Sequence, residues 1–196
     1  MARQKIVALL FINFFKRRRN LVISALALLV ITLIFSGYLA ISSAEGRPQP
    51  VWASTQNEVE VKISILKDSS GQLRLSGTFT PTRPGFYLYG KDLPKDGLQG
   101  LGRPTLLEVT KSGSIKMKGA LEADQPIENI YMNALGLSFP VYPAGPVTLS
   151  RPFELTGNSA FMELSITYMA CSEKTCLPPV IDKHVYIQVP ENFFDE

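Results

Sequence analysis

From Glu58 onward the apolar positions recur at every second residue. Val59, Val61, Ile63 and Ile65 alternate with Glu58, Glu60, Lys62 and Ser64, the pattern of a strand with one buried face. Asp68-Ser69-Ser70-Gly71 is a turn signal, since short polar side chains and glycine close tight reversals. Leu73, Leu75, Gly77 and Phe79 then alternate on a second strand. Pro81 to Gly85 interrupts it, and Phe86 to Tyr89 resumes as a short one. A Gly/Pro-rich connection over 91–104 leads to strands expected at 106–109 and 115–121, with a turn at Ser112-Gly113 between them. A further strand is expected at 127–131, then an irregular stretch over 133–146, then strands at 147–155, 161–168 and 180–189. Some eight or nine short strands without an amphipathic helix predict an all-β domain, an immunoglobulin-like or related β-sandwich. A parallel sheet is disfavoured, because its crossovers need helices that the pattern does not contain.

The residues before this region read differently. Leu21 to Ala44 carries no charge and is long enough for the roughly 20 residues of a spanning helix. It also lacks the polar face of a soluble helix. Lys16-Arg17-Arg18-Arg19 precedes it, so residues 1–20 are expected in the cytoplasm and the carboxyl side outside. Ser42 and Ala44 also suit signal-peptide cleavage before Glu45, but the long basic leader and the length of the run favour an uncleaved anchor. Both readings send the β domain out of the cytoplasm. The expected organisation is a basic terminus at 1–20, an anchor at 21–44, a linker at 45–57 and a β domain at 58–196. The linker rests on Gly46, Pro48 and Pro50 among polar residues; Trp52, its one bulky member, has two candidate places, the membrane interface and the domain edge, of which packing on the edge is favoured.

Charge adds one exclusion. The 196-residue chain has a formal charge of +3. No acidic residue precedes Glu45, however, and from there 14 basic residues meet 17 acidic ones, a net of −3. The basic excess is therefore a topology signal beside an apolar run, not a nucleic-acid footprint.

The chemistry concentrates in Tyr168-Met169-Ala170-Cys171-Ser172-Glu173-Lys174-Thr175-Cys176-Leu177-Pro178-Pro179, which holds both cysteines. Flanked by two alternating segments, it reads as the mouth of a hairpin. Opposed residues there have Cα atoms ~4.5–5.5 Å apart, within the ~4.4–6.8 Å a disulfide wants. An oxidising compartment favours that bond. So short a loop yields only roughly 2 kcal/mol of chain-entropy stabilisation, and a sandwich of this size has little need of it. The two prolines cannot donate to a ladder, so the strand is expected to fray after Cys176 and expose the sulfurs. Lys174 would favour a thiolate and Glu173 oppose it.

Tyr-Met-Ala-Cys-x4-Cys-Leu-Pro-Pro resembles the redox hairpin of the amino-terminal periplasmic domain of the DsbD family of thiol:disulfide interchange proteins. Gly85-Phe86-Tyr87-Leu88-Tyr89 is similar to that family's tyrosine strand, and the order and separation of the two motifs agree. The resemblance implies an immunoglobulin-like fold over roughly 58–189 and a cysteine pair alternating between dithiol and disulfide. It implies that Cys176 forms the mixed disulfide with partners and Cys171 resolves it. Tyr87 and Tyr89 would line the site. Phe139, in the stretch 131–142 with Leu135, Gly136 and Leu137, would stand where the family has its aromatic cap. That stretch lacks the family's acidic-Phe-Tyr-Gly signature, and the loop between the cysteines is slightly shorter than in well-known members. The implied partners are a membrane-embedded thiol reductase or thioredoxin-like donor and periplasmic disulfide-containing acceptors. The sequence carries neither a multi-helix redox domain nor a thioredoxin-like Cys-x-x-Cys, so a separate protein would supply the electrons.

Other chemistries find little footing. His184 is the one histidine; with two cysteines it leaves a closed structural zinc site one ligand short. A serine nucleophile would have to take His184 as base, and no serine has a nucleophile-elbow context. Asp124, Glu122 and Glu128 read as solvated charges, and no Gly-rich phosphate loop opens a helix. No cofactor is implied. Two functions stand: a membrane-tethered exchange module in the inner membrane with its β domain in the periplasm, or a tethered binding or assembly domain with a static disulfide.

Overall fold

In the computed structural model residues 50–133 and 136–194 are described. The basic terminus, the expected anchor at 21–44 and Leu135 lie outside them, and among the described residues no helix is long and apolar enough to cross a membrane.

Thirteen strands run through the described residues: β1 Trp52–Gln56, β2 Val59–Lys67, β3 Leu73–Pro81, β4 Tyr87–Leu88, β5 Leu106–Gly113, β6 Ile115–Met117, β7 Glu122–Ala123, β8 Glu128–Met132, β9 Leu137–Val141, β10 Val147–Leu155, β11 Phe161–Tyr168, β12 Ala170–Cys171 and β13 Val180–Gln188. A single 3-10 turn, Glu191–Phe193, follows. The domain is all-β and its sheets are open. One sheet has the order β1-β2-β3-β10-β6, with β7 also paired to β10; a second has the order β13-β11-β5.

The period-two pattern explains why these two sheets share one core. Val59, Val61, Ile63 and Ile65 on β2 are all buried, as are Leu75 and Phe79 on β3 and Val147, Leu149 and Phe153 on β10. They join one apolar cluster with Met162, Leu164 and Ile166 of β11 and Val185 and Ile187 of β13. Gly77 occupies an inward position where a Cβ would come within 2.8 Å of Leu107 on β5. Its missing side chain lets the sheets approach there.

Four local expectations are corrected. The stretch read as linker ends in a strand: β1 pairs with β2 from Trp52↔Ile63 to Gln56↔Val59. Its two-residue reversal, Asn57-Glu58, has φ of 48° and 56°, the backbone of a type I′ hairpin turn. Trp52 packs against the core cluster beneath the Lys183 ammonium, which lies 5.3 Å from its ring. The region read as irregular contains β9, antiparallel to β8 with Phe139 opposite Ile130. The turn expected at Ser112-Gly113 falls instead at Ser114, φ 56°, where the chain passes from β5 in one sheet to β6 in the other. The strand expected over 115–121 is cut short: β6 stops at Met117, and the next strand, β7, begins only at Glu122.

Candidate functional site: the cysteine hairpin and its tyrosine strand

β11 and β13 form the stem of the hairpin, from Phe161↔Gln188 to Tyr168↔Val180, with a register shift between Ile166 and Tyr168. Past Tyr168 the chain leaves that sheet and pairs with the tyrosine strand instead: Ala170 lies opposite Leu88, and Cys171 opposite Tyr87. Alternation then sorts the side chains onto two faces. Leu88 and Ala170 enter the main core. Tyr87, Tyr89 and Cys171 enter a second, smaller cluster with Leu93, Phe139 and Val141. The β8–β9 hairpin supplies the far wall of that cluster. It is joined to the tyrosine strand by a Tyr89↔Val141 bridge and by the Gly90 N–H, which donates to the Pro140 carbonyl at 2.8 Å.

Cys171 and Cys176 are bonded, with Cα atoms 4.0 Å apart in an isolated antiparallel bridge. That is closer than the spacing expected for an opposed pair. The turn between them is held by Ser172, whose N–H donates to the Thr175 carbonyl at 2.8 Å and whose Oγ accepts from the Thr175 N–H at 3.2 Å. The Leu177 N–H donates to the Ala170 carbonyl at 2.9 Å and closes the base of the loop.

The two sulfurs sit in different environments. Cys171 has no solvent exposure (0%), whereas Cys176 is exposed, as are Pro178 and Pro179 beside it. The Tyr89 hydroxyl donates to Cys171 Sγ at 3.4 Å. Burial, and secondarily the neighbouring Tyr87, push the Tyr89 phenol up to about 12, so it stays protonated and remains a donor. Burial also raises Tyr87, with Glu173 on the hairpin turn adding to the shift.

Tyr89 is fixed from several sides. Its ring meets Tyr87 edge-on at 6.2 Å and Phe139 at 5.6 Å. Its carbonyl accepts from the Thr105 hydroxyl at 2.7 Å. Gly102, φ 75°, passes so close that a Cβ there would lie 3.1 Å from the ring. Phe139 is fully buried in this cluster; its ring contact is with Tyr89, so it backs the tyrosine whose hydroxyl reaches the sulfur.

The exit leg carries a contact absent from the sequence-level expectations. The Asn57 side-chain amide donates to the Pro178 carbonyl at 2.9 Å and to the Pro179 carbonyl at 3.4 Å. The Tyr168 hydroxyl donates to the Gln56 carbonyl at 3.0 Å. The signal for Asn57 was local only: asparagine tolerates positive φ in tight turns, and nothing nearby in sequence points to the prolines. His184 stands apart on β13, opposite Ser165. Among the described residues no group of three or more His, Cys, Asp or Glu is placed to hold a metal.

The arrangement defines an all-β domain with a half-buried disulfide at one end, its inner sulfur facing a tyrosine and its outer sulfur facing solvent. No family profile matches the chain, and no curated protein matches it significantly. Among solved structures it is similar to the N-terminal periplasmic domain of ScsB from Proteus mirabilis, at 10% identity and a TM-score of 0.46, over 74% of this chain. The match spans about half of that chain, 52%.

Proposed function

We propose that this protein is a membrane-anchored, extracytoplasmic thiol:disulfide exchange module. In this reading 21–44 is an uncleaved anchor, the β domain is an immunoglobulin-like sandwich in the periplasm, and Cys171–Cys176 relays electrons from a separate thiol reductase to disulfide-bonded acceptors. The split exposure of the disulfide carries the proposal. A thiolate must reach the sulfur it attacks, and Cys176 is the exposed one.

The donor thiolate attacks Cys176 Sγ. The Cys171–Cys176 bond breaks, and Cys171 Sγ departs as a thiolate toward the Tyr89 hydroxyl. A second donor thiolate then attacks the donor's own sulfur in the mixed disulfide and releases the Cys176 thiolate. The donor is oxidised to its disulfide, and the domain has gained two electrons. In the second half the Cys176 thiolate attacks an acceptor disulfide and one acceptor sulfur leaves. The Cys171 thiolate then attacks Cys176 Sγ, which re-forms the domain disulfide and releases the second acceptor sulfur. The two acceptor thiolates take protons from water. The resemblance of the two motifs to the DsbD amino-terminal domain agrees with these roles.

The test is the reduction potential of the pair in the full chain, together with trapping in a Cys171→Ala variant. An exchanging bond should lie above about −300 mV, and the variant should accumulate mixed disulfides at Cys176. A potential below that range with nothing trapped sinks the proposal and leaves a tethered domain with a static disulfide.

A further inference from the structure

We propose that Asn57 is a positioning residue of the cysteine pair: it holds the exit leg of the hairpin in place while the disulfide is open. The inference rests on the exchange reading above. Between Leu177 and Val180 the chain is Pro178-Pro179, and neither proline has an N–H to give to a ladder. Their carbonyls remain, and Asn57 Nδ2 reaches both, at 2.9 and 3.4 Å.

The turn that presents Asn57 is itself secured from three sides. The Thr82 N–H and hydroxyl donate to the Glu58 carbonyl at 2.8 and 3.1 Å. Arg83 pairs with the Glu58 carboxylate. The Gln56 carbonyl accepts from the Tyr168 hydroxyl at 3.0 Å, on the opposite leg of the same hairpin. The clamp therefore ties both legs of the cysteine hairpin to one reversal, 121 residues away from Pro178 in sequence. Asparagine meets two demands at this position. It adopts the φ of 48° that the turn requires, and its amide supplies two N–H donors. Aspartate would satisfy only the first, and so would glycine.

In the disulfide state the covalent bond already tethers Cys176 to Cys171, so the clamp is partly redundant. In the dithiol state that tether is gone. The Leu177–Ala170 bond and Asn57 then keep the Cys176 sulfur near Cys171. Effective concentration governs such an intramolecular step. Loss of the clamp frees about one residue of backbone in the dithiol and mixed-disulfide states, worth about tenfold in that concentration. Resolution by Cys171 slows, and the pair becomes more oxidising by about 30 mV, the equivalent of a tenfold change in equilibrium constant.

The experiment equilibrates the full chain in glutathione redox buffers, quenches by alkylation and measures the dithiol fraction. In parallel it follows the release of glutathione from Cys176. Asn57→Gly keeps the turn geometry and removes the amide; Asn57→Asp keeps both the geometry and the side-chain shape. Both are expected to shift the equilibrium about tenfold toward the dithiol and to slow glutathione release by a similar factor. Thr82→Ala loosens the same turn without touching the prolines and is expected to stay within about twofold of wild type, since it frees neither leg. Wild-type constants in both Asn57 variants overturn the clamp while leaving the exchange reading intact. An equal shift in Thr82→Ala also overturns it, by assigning the effect to turn stability. A wild-type protein that does not equilibrate with glutathione at all removes the exchange reading and the clamp together.

Discussion

Replacing Tyr89 by phenylalanine removes one oxygen and keeps the ring that packs on Tyr87 and Phe139. The lost hydroxyl donates to Cys171 Sγ at 3.4 Å, so the variant isolates that single contact. In the disulfide the sulfur is a weak acceptor. Once Cys176 is attacked, Cys171 carries a full negative charge in a site without solvent exposure (0%). A hydrogen bond to a charged group contributes ~1.5–3 kcal/mol, against ~0.5–1.5 for a neutral one. The difference, about 1.4 kcal/mol, corresponds to about one unit of thiol pKa. Tyr89→Phe should therefore raise the Cys171 thiol by about that much. A leaving thiol of higher pKa departs more slowly. Reduction of the disulfide should therefore slow, by at most about tenfold for one unit of leaving-thiol pKa.

Two measurements check this prediction. The first is the second-order rate of reduction by glutathione, followed by alkylation and mass shift. The second is the pH titration of thiolate ultraviolet absorbance in a Cys176→Ser background, with and without Tyr89→Phe. A folded Tyr89→Phe protein reduced at the wild-type rate, with an unmoved Cys171 titration, would refute the reasoning: the hydroxyl would then be a packing contact with no hold on the leaving sulfur.

Three further outcomes follow from the same geometry. Phe139→Ala empties a fully buried ring site behind Tyr89 and should lower unfolding stability by about 3 kcal/mol, seen as a lower urea midpoint at unchanged slope. Gly102→Ala puts a Cβ 3.1 Å from the Tyr89 ring at a φ of 75°; it should cost about 2 kcal/mol and alter the tyrosine near-ultraviolet circular dichroism. Burial pushes Tyr89 and Tyr168 each up to about 12, while an unfolded phenol ionises near ~10. Between these values the unfolded chain has lost protons that the folded one keeps, so stability is complete below the lower value and falls as pH rises through the upper one. Urea midpoints across this window should decline, and Tyr168→Phe should flatten the decline.

Much of this site could be read from the chain because period-two alternation does two jobs at once. In Tyr87-Leu88-Tyr89 it separates Leu88, which the main core takes, from the two tyrosines, which the cysteine cluster takes. The hairpin stem follows from the same alternation, and its disulfide from the placement of two cysteines at its mouth. The missed elements are those whose partners, rather than their own pattern, make them strands. β1 is a mostly exposed edge, so its alternation is faint, and Asn57-Glu58 lacks the glycine that flags a type I′ turn. β9 contains Pro140, which argues against a strand; the fold tolerates it by using its carbonyl, which accepts from Gly90 at 2.8 Å.

Local pattern foresaw the fray after Cys176 but not the burial of Cys171; the expected exposure of both sulfurs holds for Cys176 alone. Cys171 and Cys176 flank the same short polar turn, Ser172 to Thr175, one on each side. What separates them is that only the first leg pairs with β4, through Cys171↔Tyr87, while the second runs into two prolines that have no N–H to donate to a ladder. The direction of attack in the proposed exchange is therefore set by a pairing across more than eighty residues, and the stiffness of the exposed leg by one asparagine farther away still. An exchange site of this kind needs one sulfur to reach partners and the other to remain close for resolution. Here the paired leg buries the sulfur proposed to resolve beside a phenol, and the proline leg, poor in N–H groups, takes support from the edge hairpin that composition alone reads as a linker.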